Sequence, residues 1–302
     1  MFLSPLQHGE TPDGLSMGLF LGQWSRDPFV LLALALLVAA FAAGLWRLRG
    51  RTRPAHRPVR EGYLLAAFAT LILALVSPID SYADDLFSIH MAQHMLLMMV
   101  AAPLLLLASP MPAFLWGLPR AWRYALGRLL TRRGSLRRLL GFLTQPQVAW
   151  LTFALVTWAW HIPDAYDAAL RIRPVHYLQH LTMFSAAALF WWPIIGPAPF
   201  RSRLSYPMRW AYLLLATVQT IPLGIMLTFS NALWFPSYGA STAALGIDPI
   251  ADQHLGGIIM WVGGKMMYLI ALAVLFFAWF QQEERQQQKA ASQQKLSRAP
   301  RP

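Results

Sequence analysis

The sequence predicts an all-α, polytopic membrane protein: a seven-transmembrane-helix bundle, N-terminus outside, C-terminus in the cytoplasm. Three observations carry this. First, of 302 residues 57% are hydrophobic and only 13% are charged, whereas soluble chains carry about 25% charged residues. Second, seven apolar stretches recur along the chain, separated by polar or proline-bearing breaks. Third, the charges alternate. The connections after spans one, three and five and the C-terminal tail hold 21 of the 25 Lys and Arg, while the N-terminal segment and the remaining connections hold 10 of the 13 Asp and Glu. The positive-inside rule turns that asymmetry into a direction for every span. The net charge of +12 is thus a topology signal that favours anionic lipid, not nucleic acid.

Taken in order, residues 1–27 form a mixed polar periplasmic segment, with an interfacial patch at 15–21 and without the basic-then-apolar order of a cleavable leader. The transmembrane domain covers 28–280. Span one is 28–46, opened by Pro28 and closed by Trp46 at an interface. Span two is 62–76, stopped by Ser77-Pro78, and an acidic loop 80–85 follows. Span three is 88–107. A basic cytoplasmic loop, 111–146, holds Arg120, Arg123, Arg128, Arg137 and Arg138 among others, a pattern for one or two surface helices. Span four is 147–161, span five 175–195, and span six 210–229, where Pro222 predicts a kink. Span seven is 254–280 and carries Lys265 about three turns in, at a cost of about 2.5–3.5 kcal/mol on insertion scales. The Gln- and Lys/Arg-rich tail 281–302 reads as disordered. No unit repeats with a period of 20–50 residues.

Topology gives the histidines a common address. His90 and His94 open span three, His161 closes span four, His176 and His180 open span five, and His254 opens span seven. All six fall at the outer end of four helices; His8 is also outside, and only His56 is inside. A single histidine at a helix end is an ordinary interfacial residue. Two His-x-x-x-His pairs at equal depth are less ordinary. Each pair puts two imidazoles on one helix face one turn apart, and two facing pairs make four ligands. The motif His90-x-x-Gln93-His94 is echoed by His176-x-x-Gln179-His180 and in half by Gln253-His254.

The chain has no cysteine, so disulfides and thiolate metal sites are excluded. Imidazoles with thioethers close by (Met91, Met95, Met98) favour copper over zinc, although methionine at helical spacing more often packs. Haem ranks lower, because a same-helix pair one turn apart crowds a porphyrin. Gln93, Gln179 and Asp252 are candidates for bonding neighbouring helices or orienting imidazoles. The acidic outer loops suit a funnel that concentrates cations. No nucleophile triad, phosphate loop or paired intramembrane carboxylates appear, so a hydrolase or ATPase reading has no support.

The stretches H-M-A-Q-H-M-L-L-M-M-V-A-A-P-L-L-L-L (90–107), W-H-I-P-D-A-Y-D-A-A-L (160–170), H-Y-L-Q-H-L-T-M-F-S-A-A-A-L-F-W-W-P-I-I-G (176–196) and D-Q-H-L-G-G-I-I-M-W-V-G-G (252–264) resemble the polytopic CtaG family. These are bacterial membrane proteins named as cytochrome c oxidase assembly factors, distinct from the single-span, cysteine-bearing copper chaperone of the same name. The resemblance implies a multi-pass protein of the bacterial inner membrane that helps mature a haem–copper oxidase. It implies copper delivery to the catalytic subunit, with a periplasmic copper donor upstream. The family motifs map onto His90, His94, His161, His176 and His180. Gln179 stands where the family often has Glu, and His254 where it often has Gln. The competing readings are a haem- or copper-dependent membrane oxidoreductase and a metal-free assembly scaffold.

Overall fold

The computed structural model describes residues 22–49, 57–131, 134–197 and 204–298. The expected interfacial patch at 15–21, His8, His56 and the centres of the basic connections lie outside the described residues. All regular structure among the described residues is helical.

Helix α1 is Pro28–Leu48, capped by Asp27, whose carboxylate accepts from the Phe29 and Val30 amides. Helix α2 is Arg57–Leu75. The short α3, Pro78–Ala83, has Ser77 as its cap and Pro78 in its first turn. Helix α4, Phe87–Met95, opens into a π-helical segment, Leu96–Ala101, and closes as α5, Ala102–Leu107. A π segment misaligns backbone carbonyls, and the Trp191 indole donates to one of them, Met98 O, at 3.0 Å. Then come α6, Met111–Gly117, α7, Arg120–Leu129, and α8, Ser135–Leu143. The last two bury no residue and occupy the basic stretch where surface helices were expected.

Helix α9, Pro146–Trp160, is followed by α10, Pro163–Arg171, α11, Arg173–Ile195, and α12, Tyr206–Phe229. Helix α13 is Ser237–Ala244 and α14 is Pro249–Ile258. A second π segment, Ile259–Gly263, leads into α15, Gly264–Arg298. The tail read as disordered therefore continues this last helix to Arg298. Its Gln, Glu, Lys, Arg and Ala residues are all good helix formers, and an existing helix extends through them without a new nucleus.

Among the described residues six helices are long and apolar enough to cross a membrane: Pro28–Leu48, Pro58–Leu75, Phe87–Leu107, Arg173–Ile195, Tyr206–Phe229 and Pro249–Gln294. The seventh expected span qualifies only if α8 and α9 are taken together across a 74° bend. The bend has a local cause: Gln145 precedes Pro146 and is held extended (ψ 137°), with Pro146 starting α9. At 15 residues, α9 alone is about 22 Å long, against about 30 Å of hydrocarbon. The protein is thus an all-helical membrane protein of six to seven spans.

The acidic connections read as loops fold into three short helices, α3, α10 and α13, gathered over one end of the bundle. Tyr166 of α10 and Tyr238 of α13 join Phe87, Met91, Leu223, Leu227, Phe235 and Met260 in one buried cluster. Tyr166 and Phe235 stack with centroids 4.1 Å apart. Two glycines let α14 approach closely. A Cβ at Gly256 would lie 2.3 Å from the Phe87 ring of α4, and one at Gly257 2.6 Å from the Thr228 hydroxyl of α12. Without an aqueous driving force between spans, such contacts and interhelical hydrogen bonds hold the bundle.

Candidate metal centre

The centre is built on α4, whose N-terminus is fixed from a distance. Leu86 precedes α4 and has no side chain that could cap it. Asp252, from α14, supplies the cap instead: it accepts from the Phe87 amide at 2.7 Å, the Ser88 amide at 3.3 Å and the Ser88 hydroxyl. Gln93, one turn on, donates to the Ala74 carbonyl at 2.8 Å and to Asp80 at 2.7 Å. Both residues thus bond neighbouring elements and touch no imidazole directly. They place His90 and His94 by holding the helix that bears them.

Both rings are buried, and their Nε2 atoms lie 3.1 Å apart. His180 of α11 closes the group: one ligand nitrogen from each of His90, His94 and His180 falls within 4.8 Å of the others. In tetrahedral coordination at about 2.0–2.1 Å, neighbouring nitrogens are about 3.3 Å apart, so the trio is of metal-binding size. His176, one turn before His180, stands beside the trio. Its ring centroid is 4.3 Å from that of His180 and 5.4 Å from that of His90. The facing pairs therefore converge on one place, as a trio and a neighbour rather than four equivalent rings.

Hydrogen bonds orient two of the rings. His90 Nδ1 lies 3.2 Å from the Ala83 carbonyl and 2.9 Å from the Tyr238 hydroxyl. The hydroxyl also donates to Ala83 O at 3.0 Å and lies 3.2 Å from the Tyr166 hydroxyl. A carbonyl only accepts, so the assignment using every group puts the proton on Nδ1 and leaves the Nε2 lone pair facing His94. His161 follows the same rule, with Nδ1 on the Thr157 carbonyl at 2.7 Å and a buried Nε2 that has no hydrogen-bond partner. It lies within electrostatic reach of His90 and His94, outside the trio. His94 Nδ1, His176 Nε2 and His180 Nε2 are likewise buried without a partner. Such groups ordinarily cost about 1–3 kcal/mol each, so this density of lone pairs suits a bound cation.

Other candidates land elsewhere. His254 Nε2 lies 2.9 Å from the Ser230 carbonyl and is outside the trio, while its neighbour Gln253 accepts from Trp234 N and donates to Ala232 O. The half motif thus ties α14 to the preceding connection. Met91 is sealed in the aromatic cluster, Met98 in the central core, and Met95 packs between the two. Lys265 sits over the Trp261 ring at 4.0 Å, a cation–π contact. Tyr238 and Tyr166 were not legible as site residues, because both lie in connections whose folding decides their contacts.

A cleft of about 230 Å³ reaches this centre, lined by Asp27, Asp80, Asp84, Arg173, His176 and His180 among others. Burial raises the Asp80 carboxyl above the usual carboxylate range; burial and neighbouring Asp85 do the same for Asp84. For Asp27 burial pushes upward, but the Tyr177 hydroxyl, the Val30 and Phe29 amides and Arg173 outweigh it and hold the carboxyl low.

Comparison with known proteins adds an identity to this geometry. The model of the family described as cytochrome c oxidase caa3 assembly factor (Caa3_CtaG) matches residues 39–282, and the chain belongs to that family. It is 29% identical over 278 residues to uncharacterized proteins of Mycobacterium bovis and Mycobacterium tuberculosis, and 26% identical over 283 residues to one of Mycobacterium leprae. Each alignment covers 89% of this chain and 41% of the relative, so the chain spans about two-fifths of their length. No solved structure matches it.

Proposed function

We propose, with that family membership as the premise, that this chain is a multi-pass protein of the bacterial inner membrane that assists assembly of a haem–copper oxidase by binding copper at His90, His94 and His180. The observation that carries the reading is the convergence of three imidazoles from two helices, His90 and His94 buried and His180 half-buried, with His176 and His161 beside them. Three neutral nitrogens leave one coordination position for an incoming or departing ligand. That suits a site that passes its metal on, here to the oxidase catalytic subunit after uptake from a periplasmic donor. Imidazole accommodates both copper and zinc; the family's association with a copper-containing oxidase favours copper. Rings packed edge to face at 4.3–6.1 Å leave no slot for a macrocycle, which disfavours haem and the oxidoreductase reading built on it.

The charge distribution supports seven spans with the N-terminus outside, α8 and α9 making the fourth span together, and hence a centre near the outer face. The reading is tested by metal analysis of purified wild type and of His90→Ala/His94→Ala. About one copper per wild-type chain and less than a tenth of that in the variant is expected, with loss of copper from the co-expressed oxidase. Equal copper in both proteins would sink the site. Normal oxidase copper with the variant would point to the metal-free scaffold.

A further inference from the structure

We propose that Asp80, Asp84 and His176 form an outer cation station, through which a divalent transition-metal ion passes before it reaches His90, His94 and His180. The inference rests on the copper reading above and supplies its route.

Both sets open on the same cleft, since Asp80, Asp84, His176 and His180 all line it. Charge within the cleft is not evenly compensated. Arg173 is held by Asp27 at 2.9 Å and Arg171 by Asp167 at 3.6 Å; neither makes a direct ion pair with Asp80 or Asp84, and Arg173 acts on Asp84 only at longer range. His176 joins the two sets. Its Nδ1 is 3.9 Å from the Asp84 carboxylate, its Nε2 is buried without a hydrogen bond, and its ring touches those of His90 and His180. His180, one helical turn on, belongs to the inner trio and also lines the cleft, with an Nε2 that has no hydrogen-bond partner.

The ligand chemistry grades inward. Carboxylate with imidazole suits a hydrated divalent ion, and imidazole alone suits a dehydrated one. The ion moves by exchanging one ligand at a time: one carboxylate of the outer set is replaced by His180, the other by His90, and His176 last by His94. No oxidation state changes, and the carboxylates are left free for the next ion. Asp80 is held in place for this by Gln93, the same residue that ties α4 to α2.

The test uses full-length, metal-free protein in detergent, mixed rapidly with Cu²⁺. Asp80→Asn/Asp84→Asn keeps the acceptor for Gln93 and the fold. It should bind the same amount of copper at equilibrium but load at least about tenfold more slowly, the lower end of what a focusing charge contributes to an on-rate. Asp84→Glu should restore most of the rate. In His90→Ala/His94→Ala, a weak residual site should remain, and adding Asp84→Asn should remove it. Equal loading rates for wild type and Asp80→Asn/Asp84→Asn would overturn the outer station while leaving the inner site intact. Wild type that binds no copper would overturn the inner site, and the route with it.

Discussion

Helices α4 and α11 carry the same five-residue pattern, His-x-x-Gln-His, yet the fold treats them differently. On α4 every polar side chain of the motif has at least one bond, although Gln93 Oε1 and His94 Nδ1 have no partner. Asp252 caps the helix, Gln93 reaches Ala74 and Asp80, and His90 Nδ1 is held by Ala83 and Tyr238. On α11 the equivalents are looser: His176 Nε2 and His180 Nε2 have no partner, and Gln179 lies against His90 without the tight bonds that Gln93 makes. One helix is a fixed platform; the other faces it across the cleft with lone pairs available. Equal sequence motifs thus take unequal roles, because Asp252 of α14 and Tyr238 of α13 bond residues of α4 and none of the α11 pair.

Three substitutions would break or sharpen this contrast, in falling order of effect. Asp252→Ala removes a buried carboxylate shared by two amides and a hydroxyl. It should destabilise the protein by about 2–3 kcal/mol, the cost of leaving such groups unpaired, read by equilibrium unfolding in mixed micelles. A change under half a kcal/mol would show that α4 does not depend on its distant cap. Tyr238→Phe removes the hydroxyl beside His90 Nδ1 and leaves the ring packed. Copper affinity should fall about tenfold, as expected when a group orienting a ligand is lost, with little change in the unfolding midpoint. An unchanged affinity would mean that the Ala83 carbonyl alone sets the tautomer. Gln179→Leu replaces an amide that lies against His90 with apolar atoms of similar size and should cost about 1 kcal/mol or less. A large loss would reveal partners for Gln179 and erase the asymmetry with Gln93.

The mouth of the cleft offers a pH counterpart. The Asp27 carboxyl is held low by Tyr177, its cap amides and Arg173. Its contribution is therefore present above the unfolded value near 3.9 and is lost as pH falls through the lower folded value. Asp27→Asn should weaken the tie between α1 and α11 near neutral pH, and the gap to wild type should close under strongly acidic conditions.

Some of the site was legible in the chain and some was not. The i,i+4 spacing of His90 with His94 and of His176 with His180 fixes each pair on one helix face, and the charge pattern sets both at one depth. That is enough to expect convergence. It is not enough to rank ligands: His254 shares the depth and the glutamine neighbour but bonds Ser230, and the methionines that follow His90 pack into apolar clusters. Both outcomes depend on which way α14 and α4 face, a matter of close contacts such as Gly256 on Phe87. Tyr238 carried no local signal, since it meets His90 only once the connection before α14 folds into α13.

The sequence by itself determined the all-helical membrane class, the position of most spans and the shared end of the histidines, because hydrophobic length, charge asymmetry and helical periodicity are properties of neighbouring residues. The tertiary structure alone decided that His90, His94 and His180 form the inner set and that His176 stands between it and Asp84. It alone also showed that Asp252 holds α4 from 165 residues away. Those outcomes turn on interhelical distances of a few ångströms, which arise from packing across the bundle and leave no periodic mark along the chain.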